Sequence, residues 1–262
     1  MATVVVGDIH GNLAALKGLL DVVRPEVGRG DEIVFVGDYI DRGSESRACI
    51  DAILALRGES LAGVSCLLGN HEEWLLETRE DHSRHSWLLG MDGLTTIRSY
   101  SEDAAAEIRS AMSEAGLRLY IQRYQLPYRQ FFEAMPETHH AFFSGLALAH
   151  ENTDCLCSHA GLDPAVAGVR GQTARALIWG HPSFPSEYAG ETPVVYGHWN
   201  NAVTGAEGWP VPVINGRTIC IDTSKFGVVT AVRMPDWTLF QNDGTRTRTA
   251  ALRPDDQPGH RN

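Results

Sequence analysis

ATVVVGDIHGNLAALKGLLDVV, residues 2–23, opens on a β-branched run, turns at Gly7-Asp8, and from Asn12 repeats apolar residues at Leu13, Leu16, Leu19, Leu20 and Val23. The run fits a strand and the later spacing a helix, so the unit is strand, loop, helix. It recurs twice. Ile33 to Val36 ends in Gly37-Asp38 ahead of a helical face at Cys49, Ile50, Ile53, Leu54 and Leu56, and Val64 to Leu68 ends in Gly69-Asn70 ahead of Trp74, Leu75 and Leu76. Fully apolar strands alternating with amphipathic helices predict an α/β fold with a mixed or parallel sheet covered on both faces.

From about 77 to 132 the sequence turns charged and helical, Ala104 to Met112 most clearly, which predicts a helical cap inserted into a catalytic domain spanning 1–241. Strand material returns at Leu146 to Ala149, Cys155 to Ser158, Val194 to Tyr196, Thr218 to Ile221 and Val228 to Val232, at close spacings that predict a more antiparallel second half. Residues 242–262 are polar without periodicity and are expected to form a flexible tail. A net charge of −11 over 262 residues argues against a broad basic face for nucleic acid or an anionic membrane. Five cysteines, with a lone Cys155-x-Cys157, fit neither a disulfide framework nor a zinc ribbon, so the thiols are read as reduced. With no basic leader and no apolar span of about 18 residues, a cytoplasmic protein that meets no membrane is expected.

The chemistry lies in the loops after the strands, where α/β folds bind ligands. Gly7-Asp8-Ile9-His10-Gly11, Gly37-Asp38-Tyr39-Ile40-Asp41-Arg42-Gly43, Gly69-Asn70-His71-Glu72, Ser158-His159-Ala160-Gly161 and Tyr196-Gly197-His198 follow in order. One such loop is an ordinary turn; five, rich in Asp, Asn and His, are not. Oxygen and imidazole donors without thiolate suit Mn, Fe, Zn or Mg. Asp8, His10, Asp38, Asn70, His159 and His198 are too many for one ion, and a shared carboxylate would hold two about 3.5–4 Å apart, the arrangement for in-line displacement at phosphorus.

Together GDIHG, GDYIDRG, GNHE, SHAG and YGH resemble the signature of the PPP group of calcineurin-like metallophosphoesterases, which includes Ser/Thr protein phosphatases and bacterial diadenosine tetraphosphatases. The resemblance implies a four-layer α/β/β/α sandwich of mixed sheets. It implies two divalent ions, manganese first with iron, zinc, nickel, cobalt or magnesium as alternatives, one held by Asp8, His10 and Asp38, the other by Asp38, Asn70, His159 and His198. It implies attack on phosphorus by a metal-bridging hydroxide. His71 matches the general acid and Asp41 the carboxylate that orients it, a pairing in which the imidazolium is stabilised. Arg42 matches a phosphate-binding arginine, beside Asn70.

Gly197-His198 is followed by Trp199-Asn200, so the Gly-His-x-His of related nucleases is absent. His159-Ala160-Gly161 points to the bacterial branch. Residues 182–196 hold no arginine, which leaves Arg175, near Leu177-Ile178-Trp179, as the candidate for a second phosphate contact. Ile221-Asp222-Thr223 matches the bacterial pattern, but Ser224-Lys225-Phe226 departs from it. The leading expectation is a dinuclear phosphatase of phosphomonoesters, including phosphoserine and phosphothreonine in proteins. The alternatives are a bis(5'-nucleosyl)-tetraphosphatase cleaving a phosphoanhydride and an inactive module that binds phosphorylated ligands. Trp74, Trp87 and the cap's arginines read as packing and solvated surface.

Overall fold

The structure, a computed structural model, describes residues 2–252. Strands β1 (Thr3–Val6), β2 (Glu32–Phe35) and β3 (Gly63–Cys66) pair in parallel, with α1 (Leu13–Val23) and α2 (Ser46–Glu59) as the crossovers. The side chain of Asn12 accepts the Ala15 N–H and caps α1, so the helix starts where the strand loop ends. From Asn70 to Ser144 the chain is helical: α3 (Asn70–Glu80), α4 (Ser86–Gly90), α5 (Gly93–Tyr100), α6 (Glu102–Ala115), α7 (Arg118–Ile121), α8 (Arg129–Ala134) and α9 (Glu137–Ser144). Then come β4 (Ala149–Glu151), β5 (Leu156–Ser158), α10 (Ala174–Trp179), β6 (Val194–Tyr196), the ribbon of β7 (Val203–Thr204) and β8 (Pro210–Val211), β9 (Val213–Asn215), β10 (Thr218–Cys220), β11 (Val229–Met234), β12 (Thr238–Asn242) and β13 (Thr247–Ala251).

The first sheet runs β13-β12-β11-β1-β2-β3 and the second β4-β5-β6-β10-β9. Strand side chains alternate between faces, and the alternation builds three separate apolar layers. Val4, Val6, Ile33 and Phe35 pack against the helices, whereas Val5, Val34, Val36, Cys155, Cys157, Val195, Ile219 and Ile221 fill the space between the two sheets. Leu156, Val194, Tyr196 and Cys220 point outward under Leu177 and Phe184. Helices, sheet, sheet and the α10 side make the four layers expected of the α/β/β/α sandwich. Each fully buried Val, Leu, Ile or Phe contributes about 1.5–3 kcal/mol, so no strand face is left to solvent at the centre of either sheet. All five cysteines are free and buried, Cys155 and Cys157 with sulfurs 3.6 Å apart in the inter-sheet layer.

The second half is the more antiparallel one, as expected: β4-β5, β9-β10, β11-β12 and β12-β13 pair antiparallel, β5, β6 and β10 pair in parallel, and β11 to β13 return to the first sheet beside β1. Two sequence expectations need correction. The helical stretch runs on past 132 to Ser144, and Trp87, Ile97, Ile108, Phe131 and Phe143 in it share one core with β1 and β2. The tail expected over 242–262 begins as structure: Asn242 closes β12, Thr247–Ala251 form the edge strand β13, and Leu252 is buried. An edge strand with one wet face needs no apolar run, which is why Thr-Arg-Thr-Ala-Ala reads as coil. The rest of that segment, 253–262, lies outside the described residues.

Candidate metal centre

The loops after β1, β2, β5 and β6 and the start of α3 converge between the ends of the two sheets. Asp38 is at the middle. Its Oδ2 lies 3.5 Å from His10 Nε2 and 3.7 Å from His71 Nε2, and its Oδ1 lies 3.4 Å from His159 Nε2. Asp8 Oδ2 is 4.0 Å from His10 Nε2 and accepts the His198 N–H over 3.1 Å. Asn70 Oδ1 sits 2.8 Å from His159 Nε2 and 3.0 Å from His198 Nδ1. Asp8, His10, Asp38, Asn70 and His159 are buried, and His198 is half-buried.

The histidines are aimed. His10 Nδ1 is 2.9 Å from the Ile40 carbonyl and His159 Nδ1 is 3.0 Å from the Val36 carbonyl. A proton on each Nδ1 satisfies that carbonyl and turns the Nε2 lone pair inward, as metal-ligating imidazoles require. Two close approaches need glycine: a Cβ on Gly69 would fall on Asp38 Oδ1, and one on Gly197 would fall on Asp8 Oδ1. The backbone is strained here as well. His10, Asp38, Asp41, Arg42 and His198 all have φ between 47° and 70°. Such left-handed residues cost roughly 1–3 kcal/mol each and cluster where function over-determines the backbone.

The electrostatics test whether cations fit. Burial pushes Asp8 and Asp38 well above the usual carboxylate range, with Asp222 adding to the first and Asp8 and Glu72 to the second. Burial likewise pushes His10 and His159 well below the ordinary imidazole value, and His198 down to about 4. His10 Nε2 is buried without a hydrogen-bond partner. Lone pairs therefore face lone pairs, His159 Nε2 and His198 Nδ1 at 3.2 Å among them. Two groups, His10-Asp38-His71 and Asp8-Asp38-His159, each bring their donor atoms within 4.8 Å of one another and share Asp38. The oxygen and imidazole donor set fits divalent ions.

Beside the cluster stands a dyad. His71 Nδ1 is 2.7 Å from Asp41 Oδ2, so its Nε2 faces inward, 3.4 Å from the Arg42 guanidinium. Burial, with Arg42 next, pushes His71 down to about 3. Burial raises Asp41, while the Thr96 hydroxyl and the Trp87 indole oppose the rise. Those two residues carry a role that the sequence reading missed. Trp87 Nε1–H donates to Asp41 Oδ2 over 2.9 Å and Thr96 Oγ1–H to Asp41 Oδ1 over 2.6 Å, both from the inserted helices. Glu72 was quoted only as part of GNHE. Its buried carboxylate accepts the N–H groups of Asp38 and Tyr39 at 2.9 Å and of Ile40 at 3.3 Å, and so holds the loop that carries Asp38 and Asp41. Burial and the neighbouring Asp41 push Glu72 up to about 7. Buried Asp222, next to the point where the C-terminal pattern departs, accepts from the Asn200 N–H and from Ser224 and adds negative charge near Asp8 and His198.

Arg42 is exposed at the mouth of a cavity of about 330 Å³ shared with His10, Asn12, Glu45 and Lys225. Arg175 lies elsewhere. Its guanidinium is 6.0 Å from the centre of the Trp179 ring, which in turn meets the His198 ring at 6.3 Å, and among the described residues it has no ion pair with Asp8 or Asp38. No described helix is long and apolar enough to cross a membrane.

The profile of the family described as calcineurin-like phosphoesterase matches residues 1–209. A segment of 94 residues is 39% identical to serine/threonine-protein phosphatase 1 of Salmonella typhimurium, covering 36% of this chain and 40% of that protein. Similarity to the bis(5'-nucleosyl)-tetraphosphatase PrpE (asymmetrical) of Oceanobacillus iheyensis is 26% identity over 257 residues, 88% of each chain. The first relatives matched are covered over only 7–40% of their own length. Among solved structures, a protein serine/threonine phosphatase of Saccharomyces cerevisiae superposes with a TM-score of 0.55 at 17% identity, over 99% of this chain and 82% of that one, a likeness of fold alone. With four-fifths of its residues matched by the profile, and with two candidate donor groups sharing one buried aspartate, the chain belongs to the calcineurin-like phosphoesterase family.

Proposed function

We propose that this phosphoesterase cleaves a phosphoanhydride in bis(5'-nucleosyl) tetraphosphates, through a site that uses two divalent ions. One observation carries the choice of substrate: the relative aligned over 88% of both chains is a tetraphosphatase, whereas the protein phosphatase of Salmonella matches only a local segment. That order favours the nucleotide over the phosphoprotein expected first from the sequence. Protein phosphomonoesters stay as the second reading, supported by the 39% identity of the local match.

Asp8, His10 and Asp38 would hold one ion, and Asp38, Asn70, His159 and His198 the other. Ions there supply Lewis acidity toward phosphoryl oxygens and acidify water, so that a nucleophile exists at neutral pH. Manganese is the ion to supply first, because the donors are oxygen and imidazole. The chain's own groups do the rest. Arg42 would bind phosphoryl oxygens through its planar fork. Asn70 keeps its carbonyl on the imidazoles and has only a 3.7 Å contact from Nδ2 to Met91 sulfur, which frees that amide for a phosphate oxygen. His71 would protonate the leaving oxygen from Nε2 only with a phosphate bound, whose negative charge and the Asp41 carboxylate on Nδ1 oppose the burial and the Arg42 charge that otherwise keep the ring neutral. A chain with five unbridged thiols suits the cytoplasm, where we place it.

Turnover of bis(5'-adenosyl) tetraphosphate, p-nitrophenyl phosphate and a phosphothreonine peptide, with manganese and with excess chelator, tests this reading. The tetraphosphate should give the highest kcat/KM and chelator should abolish all three rates. A higher value for the peptide would move the assignment to protein phosphatase, and metal-independent rates would overturn the mechanism. His71→Asn should lose about a hundredfold in kcat while two ions remain bound; near-full turnover would remove the general-acid role.

A further inference from the structure

Apart from the Arg42 cavity, with which it shares no lining residue, α3 and α10 border a second cavity of about 330 Å³ lined by Glu73, Trp74, Glu77, Arg175 and Trp179. It touches the centre through one ring, since Trp179 meets the metal-side imidazole of His198 edge-on at 6.3 Å and 77°. Trp179 is locked in place. Its Nε1–H donates to Glu73 over 2.5 Å, and the Trp74 ring lies 4.8 Å away at 46°. The exposed Arg175 lies over the Trp179 ring at 6.0 Å and has no ion pair or hydrogen bond among the described residues. Both indoles are half-buried, not packed away.

The chemistry of this cavity differs from that around Arg42. Two carboxylates line it, and they repel phosphate. Indole faces beside an unpaired guanidinium suit a flat heterocycle, because bases stack on aromatic and Arg planes. Carboxylates on its wall accept hydrogen bonds and donate none, so they favour a ring with an exocyclic amine over one with a carbonyl at the same position. Glu73 is engaged by Trp179, and Glu77 pairs with Arg84 at 3.1 Å through one oxygen.

Resting on the phosphohydrolase reading for its phosphate half, we propose that this cavity seats an aminopurine base of the substrate, stacked between Trp179 and Arg175 beside Trp74, with the exocyclic amine donating to Glu77. The phosphates then lie toward Asn70, His71 and Arg42, and the base reaches past His198. Arg175 thereby serves base binding and not phosphate binding. Trp74 and Glu77 are specificity residues that touch the base and no reacting atom.

The test compares bis(5'-adenosyl) tetraphosphate, bis(5'-inosyl) tetraphosphate and base-free inorganic tetraphosphate on wild type, Trp74→Leu, Trp74→Phe and Glu77→Gln. For Trp74→Leu, KM for the adenosyl substrate should rise about tenfold with kcat and the base-free rate unchanged, and Trp74→Phe should restore it. Glu77→Gln should erase the preference of adenosyl over inosyl. Equal losses on base-free substrate would make Trp74 merely structural and overturn the proposal, as would no change on any substrate. Quenching of indole emission by AMP, but not by ribose 5-phosphate, reads the site without turnover. If AMP quenches and Trp74→Leu removes the quench while the wild type hydrolyses no dinucleotide, the base site stands and the substrate reading fails. An active wild type without that quench refutes the base site alone.

Discussion

Thr96→Val changes a hydroxyl to a methyl in α5, 55 residues from Asp41 in sequence and in contact with it in space. Thr96 Oγ1 donates to Asp41 Oδ1 over 2.6 Å and accepts the Asp41 N–H over 2.9 Å, with no solvent exposure at either residue. A hydrogen bond to a charged partner is worth about 1.5–3 kcal/mol and a neutral one about 0.5–1.5 kcal/mol. The N–H keeps Ser46 Oγ at 3.2 Å, so the second loss is partial. Valine has nearly the volume of threonine and a similar helix propensity, which removes cavity and propensity effects. The expected destabilisation is about 2–4 kcal/mol, read by denaturant unfolding of the metal-loaded protein. Catalysis should respond separately. Asp41 retains Trp87 and His71, but one oxygen is left without a donor and the carboxylate gains freedom. A tenfold fall in kcat, about 1.4 kcal/mol, is expected with KM and ion stoichiometry unchanged, and Thr96→Ser should restore both. Stability within about 0.5 kcal/mol of wild type together with an unchanged kcat would show that the inserted helices do not brace the dyad.

Asp38→Asn should abolish turnover and weaken both ions, because Asp38 joins the two donor groups; calorimetric titration with manganese checks it, and retention of two tight sites would refute a shared ligand. Gly197→Ala drives a Cβ onto Asp8 Oδ1, so ion affinity at the Asp8 site should fall at least tenfold, whereas an unchanged affinity would mean that Asp8 can move aside freely. Arg42 has φ 61°, so Arg42→Gly should be about 1 kcal/mol more stable than Arg42→Ala while both lose phosphate affinity equally; paired unfolding curves decide. His139, between Tyr100 and Asp51, is pushed by burial below the ordinary imidazole value. Its folded state resists the proton, so its contribution is complete above about pH 6.5 and is lost as the pH falls below that ordinary value. The stability gap between wild type and His139→Gln should therefore narrow from pH 7 to pH 5, and a constant gap would contradict the shift.

What could be read from the sequence follows from how locally each feature is encoded. The parallel strands β1 and β2 declare themselves because they are buried on both faces as nearly unbroken apolar runs, each followed by the Gly-Asp that a tight loop needs, whereas β3, at the sheet edge, is only partly buried. The six candidate donors stand out for the same reason, each lying in the stretch that follows an apolar run. Strands β12 and β13 do not. Gln241 and Asn242 are polar yet buried, tolerated because Gln241 donates to the Pro210 carbonyl and Thr230, and Asn242 to Thr247. Such bonds are long-range and leave no periodicity. The bracing of the dyad escapes for the same cause: an indole N–H aimed from residue 87 at a carboxylate at residue 41 has no spacing signature. Glu72 was the exception that left a trace, a charged residue in the first turn of α3 that could not be solvated if Asn70 and His71 were both turned inward.

The missed contacts change what the helical insertion is for. Strain is concentrated in one loop: Asp38, Asp41 and Arg42 within five residues all hold left-handed backbone. Unsupported, a loop carrying roughly 1–3 kcal/mol at each of three positions would relax and scatter Asp38 and the dyad. Three groups oppose that. Glu72 gathers the N–H groups of residues 38 to 40, Ser46 takes the N–H of Asp41, and Thr96 with Trp87 saturates the Asp41 carboxylate. Glu72, Trp87 and Thr96 all come from helices that follow β3, and the apolar faces of those helices are continuous with the core under β1 and β2. A cap that only covered the substrate could be loosely attached. One that fixes the Asp41–His71 dyad must be packed as tightly as the sheet itself, and that is how Trp87 and Thr96 are found, with no exposed surface.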